Sequence, residues 1–168
     1  MSAVVVQARG SVDRQSFLLQ RLQPAMTGLI DGSLSTLAPI FAVATATQQP
    51  RYALFAGLAT AIGAGVSMAF SEGLSDTGEL TGRGSPYSRG SITGIATFGG
   101  GILHSLPFLI PTYDAAVAVA VVVIGFELVL LAWIRSRFFG AGFTRSFASI
   151  VLAGAIITAV SALLGTAA

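Results

Sequence analysis

AMTGLIDGSLSTLAPIFAVATAT, the stretch at residues 25–47, decides the fold of this chain. It is long enough to cross a bilayer core, which takes about 20 apolar residues, and its only charged residue is Asp31. An ionisable side chain at membrane depth costs on the order of 3 kcal/mol or more, so it usually faces a bundle interior or a pathway. The stretch therefore predicts a membrane-spanning helix whose one acid, Asp31, faces the bundle interior or a pathway.

Four further apolar segments follow, so the sequence predicts an all-α integral membrane protein with five transmembrane helices. The predicted spans are residues 25–47, 52–75, 91–110, 115–138 and 143–167. Polar, proline or glycine breakers separate them: QQPR, DTGELTGRGSPYSRG, PTYD and the Gly140/Gly142 pair. A hydrophobic content of 54% and a mean hydropathy of +0.81 agree with this class and exclude an ordinary soluble domain.

The composition also excludes several kinds of function. The chain has no cysteine, which removes disulfides, thiolate metal sites and cysteine redox chemistry. The basic residues are all arginines placed in loops, so no nucleic-acid-binding face is expected. No motif of a soluble enzyme occurs, including HExxH, the P-loop and GxSxG. We therefore expect neither an enzyme nor a permanently bound cofactor.

The arginines predict the orientation in the membrane. Eight of them fall on one side of the predicted spans and only Arg51 falls on the other. Because cytoplasmic loops carry an excess of Lys and Arg, the N-terminus is expected in the cytoplasm and the C-terminus outside.

Two regions are predicted along the chain, residues 1–23 and residues 24–168. In the first, residues 11–23 place Val12, Leu18, Leu19 and Leu22 on one helical face. This pattern predicts a short amphipathic helix on the cytoplasmic leaflet; a frayed tail is the alternative. The second region is the five-helix domain.

The first two spans carry candidate metal ligands. Counted from the predicted cytoplasmic boundary, Asp31 and Met68 both lie roughly 10 Å inside the membrane, at 1.5 Å per residue. Glu72 shares a helix face with Met68, one turn nearer the cytoplasm. Carboxylate oxygen suits Mn(II) and Fe(II), whereas a thioether disfavours Mg(II) and Ca(II). Ser35 and Thr36 could add oxygen ligands or orient Asp31.

His104 in the third span and Glu127 in the fourth form a second set. A carboxylate and an imidazole at membrane depth could act as a proton relay or a secondary metal site. Alternatively, Glu127 accepts a hydrogen bond that locks two helices. Their predicted depths do not match closely, so direct contact between them is not required by the sequence.

Purely structural interpretations exist for the first set as well. A methionine in a membrane helix usually packs against its neighbours. Glu72 could be solvated at the interface, and a hydrogen bond to a neighbouring helix would satisfy Asp31. The agreement in depth between the candidate ligands, rather than any single residue, favours a site.

Several motifs resemble the vacuolar iron transporter family. DGSLST at residues 31–36 resembles the first-helix signature, and SMAFSEGLS at 67–75 resembles the second-helix motif. SDTGELTGRGSPYSRG at 75–90, LHSLPFLIP at 103–111 and the Glu-Leu pair of the fourth span are most similar to the transporter part of bacterial membrane-bound ferritin-type iron exporters. The resemblance runs from about Pro24 to the C-terminus.

This resemblance implies a homodimer of five-helix subunits in the inner membrane of a bacterium. Each would export Fe(II), and also Mn(II), from the cytoplasm in exchange for protons, with the metal as cargo. Metal contacts are implied at Asp31, Met68 and Glu72.

The chain also departs from the family pattern. Only residues 76–90 connect the second and third spans, and only residues 1–23 precede the first. The helical metal-collecting domain and the ferritin-like domain of family members are therefore not expected. Metal capture would rest on Glu72, Asp76 and Glu79, or on a separate ferritin-like or metal-delivery protein.

Two other function classes fit the same residues. A small membrane scaffold or regulatory subunit would use its buried acids only for structure. An organic-cation transporter would use Asp31 as a counter-charge.

Overall fold

The computed structural model of the chain describes residues 13–168, and these form five helices long and apolar enough to cross a membrane. The helices are α1 (Gln23–Thr47), α2 (Pro50–Ser75), α3 (Pro86–Ser105), α4 (Tyr113–Phe139) and α5 (Phe143–Thr166). A 3₁₀ turn, Leu106–Leu109, extends α3. No strand occurs in this part of the chain. The prediction of an all-α fold with five potential spans is confirmed for these residues.

The N-terminal region differs from the separate short helix predicted for residues 11–23. A π-helical segment, Leu18–Leu22, leads directly into α1, and the helix runs without a break from Asp13 to Thr47. Pro24 has no N–H to donate, and the π-helical turn before it accommodates this loss without ending the helix. Leu22 packs against an apolar cluster around Met26 and Leu131. Val12 lies outside the described residues.

Short connections determine how the helices alternate. Only two residues join α1 to α2, and Gln48 there adopts the left-handed conformation with φ of 52°. Gly140, at φ of 67°, ends α4 in the same way. Such short connections make consecutive helices antiparallel. The loops 76–85 and 140–142 therefore share one end of the bundle, here called the arginine end.

The first transmembrane helix is the centre of the bundle. It packs against α2, α3 and α5, whereas α4 packs mainly on α5 and on the 3₁₀ turn. A Cβ added at Gly28 or Gly32 would overlap the backbone carbonyl of Thr93 or Thr97 on α3. The absence of a side chain at these two glycines allows the backbones of α1 and α3 to approach closely.

Two rows of small residues at four-residue spacing pack within the chain: Gly57, Ala61 and Gly65 on α2, and Gly154, Thr158 and Ala162 on α5. In the first row, Gly57 and Gly65 lie against Ser105 and Phe98 of α3. In the second row, Gly154 lies against the Leu128 side chain. Both rows are therefore occupied inside one subunit.

A third row of small residues is exposed. It follows the outer face of α2 at four-residue spacing and consists of Ala59, Gly63, Ser67 and Ser71. The spacing places all four on one side of the helix. This row is a surface on which another helix could pack closely.

Candidate functional site

A groove on the outside of the bundle brings Asp31 and Met68 together. Its floor is α1, with α2 and α5 at its sides, and its volume is about 600 Å³. The lining residues are Thr27, Ile30, Asp31, Leu34, Ser35, Ala38, Met68 and Ile157. The structure thus places the predicted carboxylate and thioether in one cavity.

Asp31 differs from the other acids near membrane depth. Among residues 13–168 its carboxylate makes no hydrogen bond and no ion pair. The side chain is half-buried in the groove, and apolar residues make up most of the surrounding wall. The groove therefore contains an uncompensated negative charge or a protonated acid.

Ser35 adds oxygen atoms one helical turn from Asp31. Its hydroxyl is buried and has no hydrogen-bond partner, whereas Ser33 and Thr36 on the same helix donate to the carbonyl four residues earlier. Its backbone carbonyl lacks its usual helical partner, because residue 39 is proline and has no N–H. Of the two oxygen residues proposed beside Asp31, Ser35 lines the groove and Thr36 points into the core.

Glu72, the third candidate ligand, does not line the groove and is paired with arginines instead. Its Oε1 accepts a hydrogen bond from Nη2 of Arg83 at 2.7 Å and lies 2.9 Å from Nε of Arg89. Arg89 is completely buried, and it also reaches Asp76, with Nη1 at 3.2 Å from Oδ1. Two carboxylates and two guanidinium groups thus form a closed cluster at the arginine end, called the ionic cluster below. Neither Glu72 nor Asp76 is free to bind a cation without breaking these pairs.

The loop 76–85 is shaped by the same cluster. Oδ1 of Asp76 accepts the backbone N–H of Gly78 at 2.6 Å and the hydroxyl of Thr81 at 3.2 Å. Nε2 of Gln20 donates to the carbonyl of Gly82 at 3.2 Å, which ties the loop to the start of the first helix. Glu79 is exposed and lies outside the cluster.

The pKa of Asp76 lies below its ordinary value of 3.8. Burial raises this pKa, but the hydrogen bonds from Gly78 and Thr81 and the charge and hydrogen bond of Arg89 outweigh burial. The carboxylate is therefore ionised at neutral pH and holds the loop in place.

His104 and Glu127 are in direct contact, although the sequence did not require it. Nε2 of His104 lies against Oε2 of Glu127. Oε1 of Glu127 accepts a hydrogen bond from the hydroxyl of Ser33 at 2.6 Å, and Nδ1 of His104 lies 3.1 Å from the carbonyl oxygen of Ser33. Both titratable side chains are buried. The contact therefore joins α1, α3 and α4.

The polar side chains form three separate groups: the groove around Asp31, the ionic cluster, and the contact of His104 with Glu127. Within residues 13–168, no three His, Asp or Glu side chains come together as a metal-binding group. Of the residues that line the groove, Asp31 is the one with a carboxylate.

Three residues that make these polar contacts were not predicted from the sequence. Arg83 and Arg89 were counted only as charges that set orientation, and Ser33 was not considered. One signal was available: the arginines lie within the same polar run as Asp76, so pairing inside the run could have been expected.

Comparisons of the chain with known protein families, with curated proteins and with solved structures give no match.

The ionic cluster predicts how stability depends on pH. Because the folded-state pKa of Asp76 is lowered, its stabilising effect is present above the ordinary value and is lost as the pH falls through the folded-state pKa. Asp76→Asn should lower the thermal unfolding temperature at neutral pH, and its difference from the wild type should narrow in strong acid. Glu79→Gln, an exposed change in the same loop, is the control and should have little effect at any pH. A constant difference between Asp76→Asn and wild type across pH would contradict this role.

Proposed function

We propose that this chain is a proton-coupled exporter of divalent metal, with Fe(II) as its first substrate and Mn(II) as its second. The observation that carries the proposal is the unpaired Asp31 beside Met68 in an open groove on a membrane-spanning helix. A carboxylate at membrane depth that has no partner in its own subunit is costly to keep. Binding a cation would compensate that cost.

The ligand chemistry of the groove supports this substrate class. Asp31 offers carboxylate oxygen, Ser35 offers a hydroxyl and a carbonyl, and Met68 offers sulfur. Oxygen ligands with one thioether suit Fe(II) and Mn(II) better than Mg(II) or Ca(II), which prefer oxygen alone. A metal can bind the carboxylate only when it is deprotonated, so metal binding releases protons. Competition at Asp31 is then the simplest source of exchange between metal and protons.

A second copy of the chain would complete the groove. One subunit supplies a single carboxylate, and the exposed row Ala59, Gly63, Ser67 and Ser71 lies on the same helix as Met68. Packing of two such rows about a two-fold axis along the membrane normal would bring two grooves together. It would also remove Asp31 from lipid. The homodimer implied by the family resemblance agrees with this arrangement.

The expected orientation indicates the end of the bundle at which exported metal would enter. With eight arginines on the cytoplasmic side, the arginine end faces the cytoplasm in a bacterial inner membrane. Metal would enter there, past the ionic cluster. Because Glu72 and Asp76 are already paired with arginines, capture would rest on exposed Glu79, on opening of the cluster, or on a separate ferritin-like or metal-delivery protein.

Transport should depend on the charge of Asp31. In proteoliposomes with an imposed pH gradient, Asp31→Ala and Asp31→Asn should each lower Fe(II) flux by at least about tenfold, since even the loss of an outer-sphere partner of a ligand costs 10- to 100-fold. Both proteins should fold. Asp114→Asn, an exposed acid at the start of α4, is the control. Wild-type flux in Asp31→Asn would eliminate the central site. If the wild-type protein gives no metal flux, the scaffold or regulatory subunit is favoured. If it transports organic dyes instead, the organic-cation transporter is favoured.

Met68 should control selectivity. Met68→Leu keeps the volume and removes the sulfur, so Fe(II) flux should fall relative to flux of the harder Mn(II). Met26→Leu, which alters a methionine of the apolar core, is the matched control and should leave the ratio unchanged. If Met68→Leu also leaves the ratio and both fluxes unchanged, Met68 only packs.

The exposed row on α2 should lie at the dimer interface. Because the chain has no cysteine, Ser67→Cys introduces a single thiol, and oxidation of membranes should then yield a covalent dimer. Val122→Cys on α4 is the control, because that side chain is 71% exposed but lies on another helix. Cross-linking through position 122 and not through position 67 would rule out this interface.

A further inference from the structure

Ser33, His104 and Glu127 take part in a chain of four polar contacts. The Ser33 hydroxyl is 2.6 Å from the carbonyl oxygen of Leu29 and 2.6 Å from Oε1 of Glu127. Oε2 of Glu127 meets Nε2 of His104, and Nδ1 of His104 meets the carbonyl of Ser33 at 3.1 Å. The chain therefore begins and ends on the backbone of α1.

Counting hydrogens defines the protonation of this chain. A carbonyl oxygen only accepts, so Nδ1 of His104 must carry a hydrogen toward Ser33. Ser33 supplies one more hydrogen, for either Leu29 or Glu127. The contact between Oε2 and Nε2 then requires one proton, held on the acid or on the imidazole. These three hydrogens leave the pair of His104 and Glu127 without net charge.

A second dissociable proton would satisfy the fourth contact but would make the pair positive. One further hydrogen bond stabilises the protein less than an unpaired buried charge destabilises it, and the difference is larger in a membrane. The neutral state with one shared proton is therefore favoured, and the Ser33 hydrogen alternates between its two acceptors.

Among residues 13–168, no other charged group pairs with His104 or Glu127. On the helices around the pair, the Asp, Glu and Arg side chains are Asp31, Arg51, Glu72, Arg89, Asp114, Arg135, Arg137 and Arg145. None of them forms a salt bridge with His104 or Glu127. Along α4, Arg135 is eight residues from Glu127, roughly 12 Å at 1.5 Å per residue.

The geometry also connects the pair to the groove. Ser33 follows Asp31 by two residues, which on a helix is a rotation of about 200°, so the two side chains leave α1 on opposite sides. Ser33 is buried and Asp31 lines the groove. Holding Ser33 from two other helices therefore fixes the rotation of α1 that turns Asp31 outward.

We infer that His104 and Glu127 are positioning residues that share one proton between them and, through Ser33, set the rotation of α1. The neutral state is inferred from the contacts alone. The importance of this positioning for transport rests on the function proposed for Asp31. This assignment differs from a proton relay, in which the pair would exchange its proton with both sides of the membrane. It also differs from a secondary metal site, which would have to separate two side chains already in contact.

The first test uses the only histidine of the chain. Nitrogen NMR of ¹⁵N-histidine-labelled full-length protein in lipid nanodiscs reports His104 alone. We expect a hydrogen on Nδ1. A neutral imidazole whose only hydrogen is on Nε2 would overturn the inference.

The second test reports the rotation of α1 without any metal. Ser35→Cys places a thiol in the groove on α1, and Met68→Cys places one in the same groove on α2 as the matched control. The rate of alkylation by N-ethylmaleimide is measured in each, alone and combined with changes at Glu127 or His104. Glu127→Gln keeps a neutral partner for both Ser33 and His104, so neither rate should change.

Loss of the tie should affect only one of the two thiols. In Glu127→Ala or His104→Ala, the thiol at position 35 should change its rate by roughly tenfold, because a buried partner is left unsatisfied, and the thiol at position 68 should not. The inference fails if Glu127→Gln changes the rate at position 35, because the amide supplies an N–H to Nε2 of His104 and an oxygen to Ser33 and so should preserve the tie. Unchanged rates in Glu127→Ala would also overturn it. Should the alanine variants not fold, the Glu127→Gln rates and the histidine spectrum still decide the question.

Discussion

Charge compensation inside an apolar slab governs how the polar side chains of this bundle are arranged. Burying an ion costs several kcal/mol unless an opposite charge or a proton neutralises it. Glu127 meets His104, and Glu72 meets the fully buried Arg89. Of the three acids near membrane depth, Asp31, Glu72 and Glu127, only Asp31 has no such partner among the described residues. Because Glu72 and Glu127 are paired, the unpaired carboxylate of Asp31 is an exception that calls for a functional explanation.

The first transmembrane helix is shared by packing and by the groove. Its glycines at positions 28 and 32 allow α3 to approach its backbone, and Ser33 binds the side chains of α3 and α4. The opposite side carries Asp31 and Ser35. Because successive side chains on a helix are about 100° apart, one short segment can serve both purposes. Changes in the core of α1 are therefore expected to reach the groove.

The ionic cluster changes how metal capture has to be considered. Family resemblance suggested Glu72 as a ligand at the cytoplasmic mouth, yet its carboxylate is held by Arg83 and Arg89. A cation that reached this end would compete with two guanidinium groups that are already in contact. In the proposed exporter, the cluster would therefore act as a barrier before the groove, unless a delivery protein opens it.

The sequence by itself determined the five apolar helices, their approximate bounds and the presence of an acid in the first one, because hydropathy and breakers are local properties. It also placed Asp31 and Met68 at one depth, since depth follows from counting residues along a helix. Only the tertiary structure decided which groups are neutralised. Contact of His104 with Glu127, and capture of Glu72 by arginines from the following loop and helix, depend on helix rotation and on loop path. Rotation is set by close packing of side chains from several helices, and no count along one helix contains it.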